Sequence, residues 1–225
     1  MATIPQVKVG SIQKPMPVIG MGTSSYPPVE LEIAKAAILE AIKAGYRHFD
    51  TAFAYGSEMS LGVAIAEALR LGLIKSRDEL FITTKLFASF ASRDQVEVNP
   101  LWQQKKLIEF CKEKGIHVTA YSPLGANGTK WGDNRIVESD VLGDIAKAKG
   151  KTTAQVSLRW VYEQGVSLVT KSYNKERMKE NLDIFDFSLT EEELNKISQL
   201  PQRKGVTFAS VLGPHELVLE VDAEI

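Results

Sequence analysis

The sequence predicts an α/β protein built on a parallel sheet, and three observations lead there. Short apolar runs of strand character alternate with amphipathic helical stretches along the chain. No linker, low-complexity stretch or short-period repeat divides the 225 residues, so 1–225 reads as a single domain, a length that one barrel can use. Asp50, Tyr55 and Lys85 fall where strands end, the functional face of parallel α/β folds. A doubly wound sheet and a closed (β/α) barrel both satisfy this pattern. A dinucleotide-binding doubly wound fold should carry G-x-G-x-x-G after its first strand. The stretch GMGTSS (20–25) has the first two glycines but not the third, and no helix opens on it.

The elements follow in order. MPVIGMGT (16–23) is a short apolar run closed by glycines. ELEIAKAAILEAIKAG (30–45) places Ile33, Ala36, Ala37, Leu39 and Ile42 at helical spacing, with Gly45 as the stop. YRHFDTA (46–52) is a strand whose period of two puts His48 and Asp50 on one face. A helix over roughly 57–71 precedes the strand LFITTKL (80–86). QVEV (95–98), the helix QQKKLIEFCKEKG (103–115) and the strand HVTAYS (117–122) come next. A Gly-rich loop at 125–132 leads to helices around 138–148 and 153–164, the second opened by a capping box of Thr152 and Gln155. SLVTKS (167–172) is the last strand. The helix in NKERMKENLDIF is capped by Asn174, and the one in SLTEEELNKIS is opened by Thr190 and Glu193. One junction breaks the alternation: only LFASFASR (86–93) separates Lys85 from Asp94, where every other crossover has a helix.

Composition narrows the function classes. Apolar residues are 44% of the chain, charged residues 24%, and the net charge of −1 gives no reason to expect a nucleic acid or a membrane surface as partner. A single cysteine, Cys111, excludes an intramolecular disulfide framework and fits a reducing compartment. MATIPQVKVG has no apolar h-region and no run of 18 apolar residues occurs, so a soluble cytoplasmic protein is expected.

A lysine buried at a strand end needs a carboxylate, and Asp50 can supply it for Lys85. A tyrosine beside that lysine would titrate below the ordinary phenol value of about 10. Two unit charges about 4 Å apart interact by roughly 4 kcal/mol at an effective dielectric near 20, and a fraction of that makes Tyr55 a usable proton donor near neutral pH. The duller alternative is a structural ion pair with an ordinary loop tyrosine beside it.

The surrounding phrases bear on that choice. GYRHFDTAFAYGSE and SRDELFITTKL resemble the aldo-keto reductases, NADPH-dependent (β/α)8 barrels, and the plant chalcone reductase and codeinone reductase type in particular. The similarity continues through QVEVNPLWQQKKLIEFCKEKGIHVTAYSPLGANG, GKTTAQVSLRWVYEQGV and TKSYNKERMKENLDIFDFSLTEEEL, covering nearly all of 5–200. The resemblance implies reduction of a ketone or aldehyde of a small metabolite to an alcohol. Asp50, Tyr55 and Lys85 match three members of the family's catalytic tetrad, with Tyr55 protonating the carbonyl oxygen. Gly22, Thr23, Gln95, Tyr121, Ser122 and Leu124 match cofactor-binding positions: Gln95 at the nicotinamide carboxamide, Tyr121 stacked on its face, and SPLG (122–125) along the pyrophosphate. Lys171 and Ser172 end a strand, while Arg177 and Asn181 lie four apart on the helix capped by Asn174. Cations, a hydroxyl and helix-end donors suit a ribose 2′-phosphate, the alternative being a solvated basic helix start. No metal is expected.

The same resemblance explains the junction. In the family a helix, two strands and their helices stand between the lysine strand and the NQVE-like strand. The expected fold is therefore an incomplete (β/α)8 TIM barrel, with about six strands retained and strands four and five missing, truncated at about 87–93. The fourth tetrad member, a histidine in an HWP-like segment, falls in the missing part. None of the three histidines, His48, His117 and His215, has that context, and activity is expected to be impaired or absent. A non-catalytic isoform that binds NADPH or a partner chain is the alternative. Position 94 is Asp where the family has Asn. The family is mostly monomeric, but exposed sheet edges make self-association a further expectation. Trp160 should be core, Trp102 and Trp131 pocket or packing residues, and Cys111 a buried small hydrophobe.

Overall fold

The computed structural model describes residues 4–10, 13–25, 27–85, 95–127, 129 and 132–203. The junction LFASFASR, with Asp94, Trp131 and His215, lies outside the described residues. The chain forms two compact units, Met1–Arg93 with Val169–Asp183, and Asp94–Leu168 with Ile184–Ile225.

The first unit opens with an antiparallel hairpin, β1 (Gln6–Val9) and β2 (Lys14–Pro17), which the sequence reading missed. Its parallel strands are β3 (Ile19–Gly22), β4 (His48–Asp50) and β5 (Phe81–Thr83). The last residues of β8 (Ser167–Thr170) also belong to this unit. Register aligns Gly22 with Asp50 and Asp50 with Thr83, so three chains leave the sheet at one level. Among the described residues β5 pairs only with β4. Helices α1 (Leu31–Ala44) and α2 (Glu58–Arg70) pack on each other, and α6 (Lys175–Leu182) packs on α1.

The buried stripe of α1 differs from the expected one. Ala34, Ala37, Ile38, Ala41 and Ile42 are buried, whereas Ile33 is 52% exposed and Ala36 also faces out. Close approach of α2, whose Ala64 and Ala68 are fully buried, favours the alanine-rich side, and that preference overrides the larger side chain. The stop is as expected: Gly45 takes φ 109°, and its N–H reaches the Ala41 and Ile42 carbonyls. Lys175 of α6 and Lys43 both hold Glu40, at 2.8 and 2.7 Å, and these hydrogen bonds keep its carboxyl at about 2. Beneath them Tyr46, 1% exposed, donates to the Met178 carbonyl at 3.2 Å, and burial pushes its phenol well up.

His48 sits fully buried between β2 and β5. Its Nδ1 donates to the Pro17 carbonyl at 3.0 Å, Nε2 faces Thr83 Oγ1 at 3.3 Å, and its ring meets Phe81 edge-on. Burial pushes it below the ordinary imidazole value, so it is a neutral scaffold residue, as expected. Gly20 leaves room for that ring: a Cβ there would lie 2.7 Å from His48 Nδ1.

The second unit contains β6 (Gln95–Glu97), β7 (Thr119–Tyr121) and the first residues of β8, all parallel. Among the described residues β6 pairs only with β7. Its helices are α3 (Lys105–Glu113), α4 (Asp140–Lys149), α5 (Thr153–Glu163) and α7 (Glu191–Ser198). Ala120, Leu142, Val156, Leu158, Val161, Leu168, Ile184 and Ile197 are fully buried. The expected capping boxes form at Thr152 with Gln155 and at Thr190 with Glu193. Trp160 is 3% and Cys111 7% exposed, both core as expected, while Trp102 is half-buried.

Two stability outcomes follow. Gly20→Ala should cost about 1–3 kcal/mol in urea unfolding, because a buried imidazole must move, and the cost should shrink in a His48→Ala background. Glu40 is depressed in the folded state, from an ordinary 4.5 to about 2, so its contribution is complete above the ordinary value and fades as pH falls through the folded one. The stability difference between wild type and Glu40→Gln should therefore be constant above pH 5 and vanish on approaching pH 2, as acid titrations of urea midpoints would show.

Candidate active site

Aligned strand ends make the site of the first unit. Asp50 closes β4 and is 3% exposed, and Lys85 follows β5. Lys85 Nζ donates to Asp50 Oδ1 at 2.6 Å and to the Thr51 carbonyl at 3.1 Å. Tyr55 ends a single 3-10 turn, Phe53–Tyr55, stopped by Gly56 at φ 63°, and its ring lies 4.8 Å from Lys85 Nζ. Sequence spacing alone left these three residues open as structural or chemical, and the fold brings them together. An ammonium fixed by a buried carboxylate is thereby set against the face of one tyrosine, a cation–π contact that holds the two side chains together.

A set of buried hydroxyls supports this arrangement, and the sequence reading assigned chemistry to only one of them. Thr23 Oγ1 donates to the Asp50 carbonyl at 3.0 Å and meets Ser57 Oγ at 2.7 Å, while Thr51 Oγ1 meets the same Ser57 Oγ at 2.9 Å. Thr23, Thr51 and Ser57 are 3, 2 and 7% exposed. They tie the ends of β3 and β4 to the start of α2, which fixes the turn carrying Tyr55. At the rim Thr84 Oγ1 donates to Glu58 at 2.7 Å. Hydroxyl residues directly after each strand were the signal available in sequence, at Thr23, Thr51 and Thr84.

The chain after β8 supplies the cationic segment of the same unit. Lys171 Nζ lies 4.3 Å from the Tyr173 ring, and burial pushes its ammonium below the ordinary lysine value. Gly22 faces this point, since a Cβ there would lie 3.8 Å from that of Lys171. Ser172 Oγ accepts from the Asn174 N–H at 3.1 Å, and Asn174 Oδ1 caps α6 through the Arg177 N–H at 2.9 Å. Arg177 is exposed. Asn181 is not beside it on the surface: it is 5% exposed and hydrogen-bonds Tyr46 in the interior.

In the second unit, Gln95 opens β6 opposite Thr119, and Tyr121 ends β7. The loop that follows holds Ser122 at φ 49°, Gly125 at φ 74° and Ala126 at φ 53°, with half-buried Leu124 between them. His117 Nε2 lies 2.7 Å from Ser167 Oγ, a structural contact like those of His48. No cluster of three metal-ligating side chains occurs among the described residues. No helix among them is long and apolar enough to cross a membrane.

Comparison with known proteins agrees with this geometry. The model of the Aldo/keto reductase family matches residues 18–94 and 91–201, two stretches that meet at the short junction. The chain is 53% identical to a D-galacturonate reductase of Fragaria ananassa over an alignment of 319 positions that covers 100% of both sequences. Since this chain has 225 residues, the remaining aligned positions have no counterpart in it. A 7-acetyl-epi-neemfruitin B aldo-keto reductase of Melia azedarach is 44% identical, over 99% of this chain and 98% of its own length. Among solved structures, an aldo-keto reductase from a deep-sea metagenome library superposes with a TM-score of 0.76 at 25% identity, covering 88% of this chain and 96% of that one. A Bombyx mori aldo-keto reductase in complex with NADP superposes at 0.81 over 93% and 97%, and at 24% identity it shows the shared fold. Strand ends, ion pair and sequence relatives converge, and the chain belongs to the aldo/keto reductase family.

Proposed function

We propose that this chain is a single aldo-keto reductase domain, shortened internally at about 87–93, that reduces the carbonyl of a small metabolite with NADPH. The observation that carries the proposal is Lys85, held at 2.6 Å by Asp50 and placed 4.8 Å from the Tyr55 ring. Tyr55 gives its phenolic proton to the carbonyl oxygen, Lys85 stabilises the phenolate left behind, and Asp50 keeps Lys85 in place. NADPH, when bound, supplies the hydride that reaches the carbonyl carbon.

Residues suited to the cofactor are present in each unit. In the first, Lys171, Ser172 and Arg177 offer two cations and a hydroxyl at the start of α6, chemistry that fits a 2′-phosphate. Asn181 is assigned instead to the packing of α6 on Tyr46. In the second, Gln95 and Tyr121 are assigned to the nicotinamide and the Ser122–Gly125 loop to the pyrophosphate. A cytoplasmic location suits the single thiol. The identity to a D-galacturonate reductase makes a sugar-acid aldehyde the first carbonyl to assay.

A second reading has its own observation. His48 is fully buried with protein partners on both ring nitrogens, and His117 is bonded to Ser167. Neither can take the place of the tetrad histidine beside the carbonyl oxygen. Losing one oriented donor of that kind costs about 100-fold or more in rate. A slow enzyme, or a protein that binds NADPH without turnover, is the consequence.

Two experiments separate these readings. Tyr55→Phe should remove all carbonyl-dependent NADPH oxidation while dinucleotide binding persists, and turnover surviving in that variant sinks the assigned proton donor. In fluorescence titrations, NADPH should bind more weakly as salt rises. Arg177→Ala should weaken NADPH several-fold more than NADH, because only NADPH carries the 2′-phosphate. Equal loss for both dinucleotides would remove Arg177 from the phosphate site.

A further inference from the structure

We propose that Ser157, on α5 and outside the catalytic and cofactor positions assigned above, is a positioning residue for the pyrophosphate of the dinucleotide. The proposal rests on the cofactor reading of the Ser122–Gly125 loop. Ser157 is 0% exposed, and its hydroxyl donates to the Pro123 carbonyl at 2.7 Å. A serine buried in α5, with Val156, Leu158 and Val161 fully buried nearby, is costly unless its hydroxyl is used.

The use follows from peptide geometry. In a trans peptide the C=O and the next N–H point in opposite directions within one plane. By drawing the Pro123 carbonyl toward α5, Ser157 turns the Leu124 N–H the other way, out of the core. That N–H has no hydrogen-bond partner among the described residues, although Leu124 is half-buried. An unpaired amide in such a place is an anion donor in waiting.

The flanking backbone is strained in a way that needs such anchoring. Ser122 and Ala126 hold positive φ without being glycine, a conformation that persists only when surrounding contacts impose it. Other contacts fix the far end of the loop: Asp133 N–H to the Gly125 carbonyl at 3.1 Å, and Thr129 Oγ1 to the Ala126 carbonyl at 2.8 Å. At the near end, Asn99 Nδ2 reaches the Ser122 carbonyl at a long 3.4 Å. Ser157 is therefore the short, buried anchor of the Pro123–Leu124 peptide itself.

The test is equilibrium binding by wild type, Ser157→Ala and Ser157→Cys, with NADPH, NADH and adenosine 2′-monophosphate as probes. Ser157→Ala should raise the Kd of NADPH and of NADH by a similar factor of about ten, since the pyrophosphate is common to both. It should leave adenosine 2′-monophosphate, which has no pyrophosphate, unchanged. Ser157→Cys, with a weaker donor of similar size, should fall between, and it carries the test if the alanine variant does not fold. Unchanged dinucleotide affinity in the variants, or equal loss for all three probes, overturns the role of Ser157 alone. Wild-type protein that binds no dinucleotide overturns the cofactor reading and this role with it.

Discussion

The register of three parallel strands governs the first unit. Gly22, Asp50 and Thr83 lie side by side, so Thr23, Thr51 and Lys85 all emerge at one end of the sheet. Shifting β4 by one residue would turn Asp50 to the other face and leave the Lys85 ammonium in a half-buried site without its carboxylate. Register is held by the packing around it: Gly20 admits the His48 ring, His48 spans from Pro17 to Thr83, and Phe81 closes on its edge. The neutral histidine of the strand thus belongs to the scaffold of the site rather than to its chemistry.

From that constraint the chemistry is built in layers of decreasing burial. Asp50 is nearly sealed, Lys85 is 17% exposed by its side chain, and Tyr55 is half-buried. A buried carboxylate is tolerated because it is paired and because the Thr23 and Thr51 hydroxyls, shared through Ser57, immobilise the backbone on either side of it. The pair is therefore no simple stabilising bridge. Its value lies in presenting one fixed positive charge to one tyrosine ring, at the cost of desolvating both partners.

Much of this was legible in the amino-acid order. Strand–helix alternation, the Gly45 stop, the Asn174 cap and both capping boxes rest on local chemistry, and all are found where the sequence placed them. The β1–β2 hairpin was missed because QVKV and KPMP are short and flank a turn without the usual Asn-Gly or Asp-Gly signal. The stripe of α1 was misread by one position because periodicity ranks residues by hydrophobicity, whereas the neighbouring helix selects them by size. Spacing put Asn181 on one helical face with Arg177, and the packing of α6 leaves Arg177 exposed while it buries Asn181.

The sequence by itself determined the elements, their order, the residue types at strand ends and the family those phrases belong to, because all of these are properties of short neighbourhoods along the chain. Only the tertiary structure decided that Lys85 finds Asp50 across 35 positions, and that Ser157 finds the Pro123 carbonyl across 34. Such pairings depend on register and on which helix face is turned inward. Those are settled jointly by many packed side chains, and no local pattern carries that information.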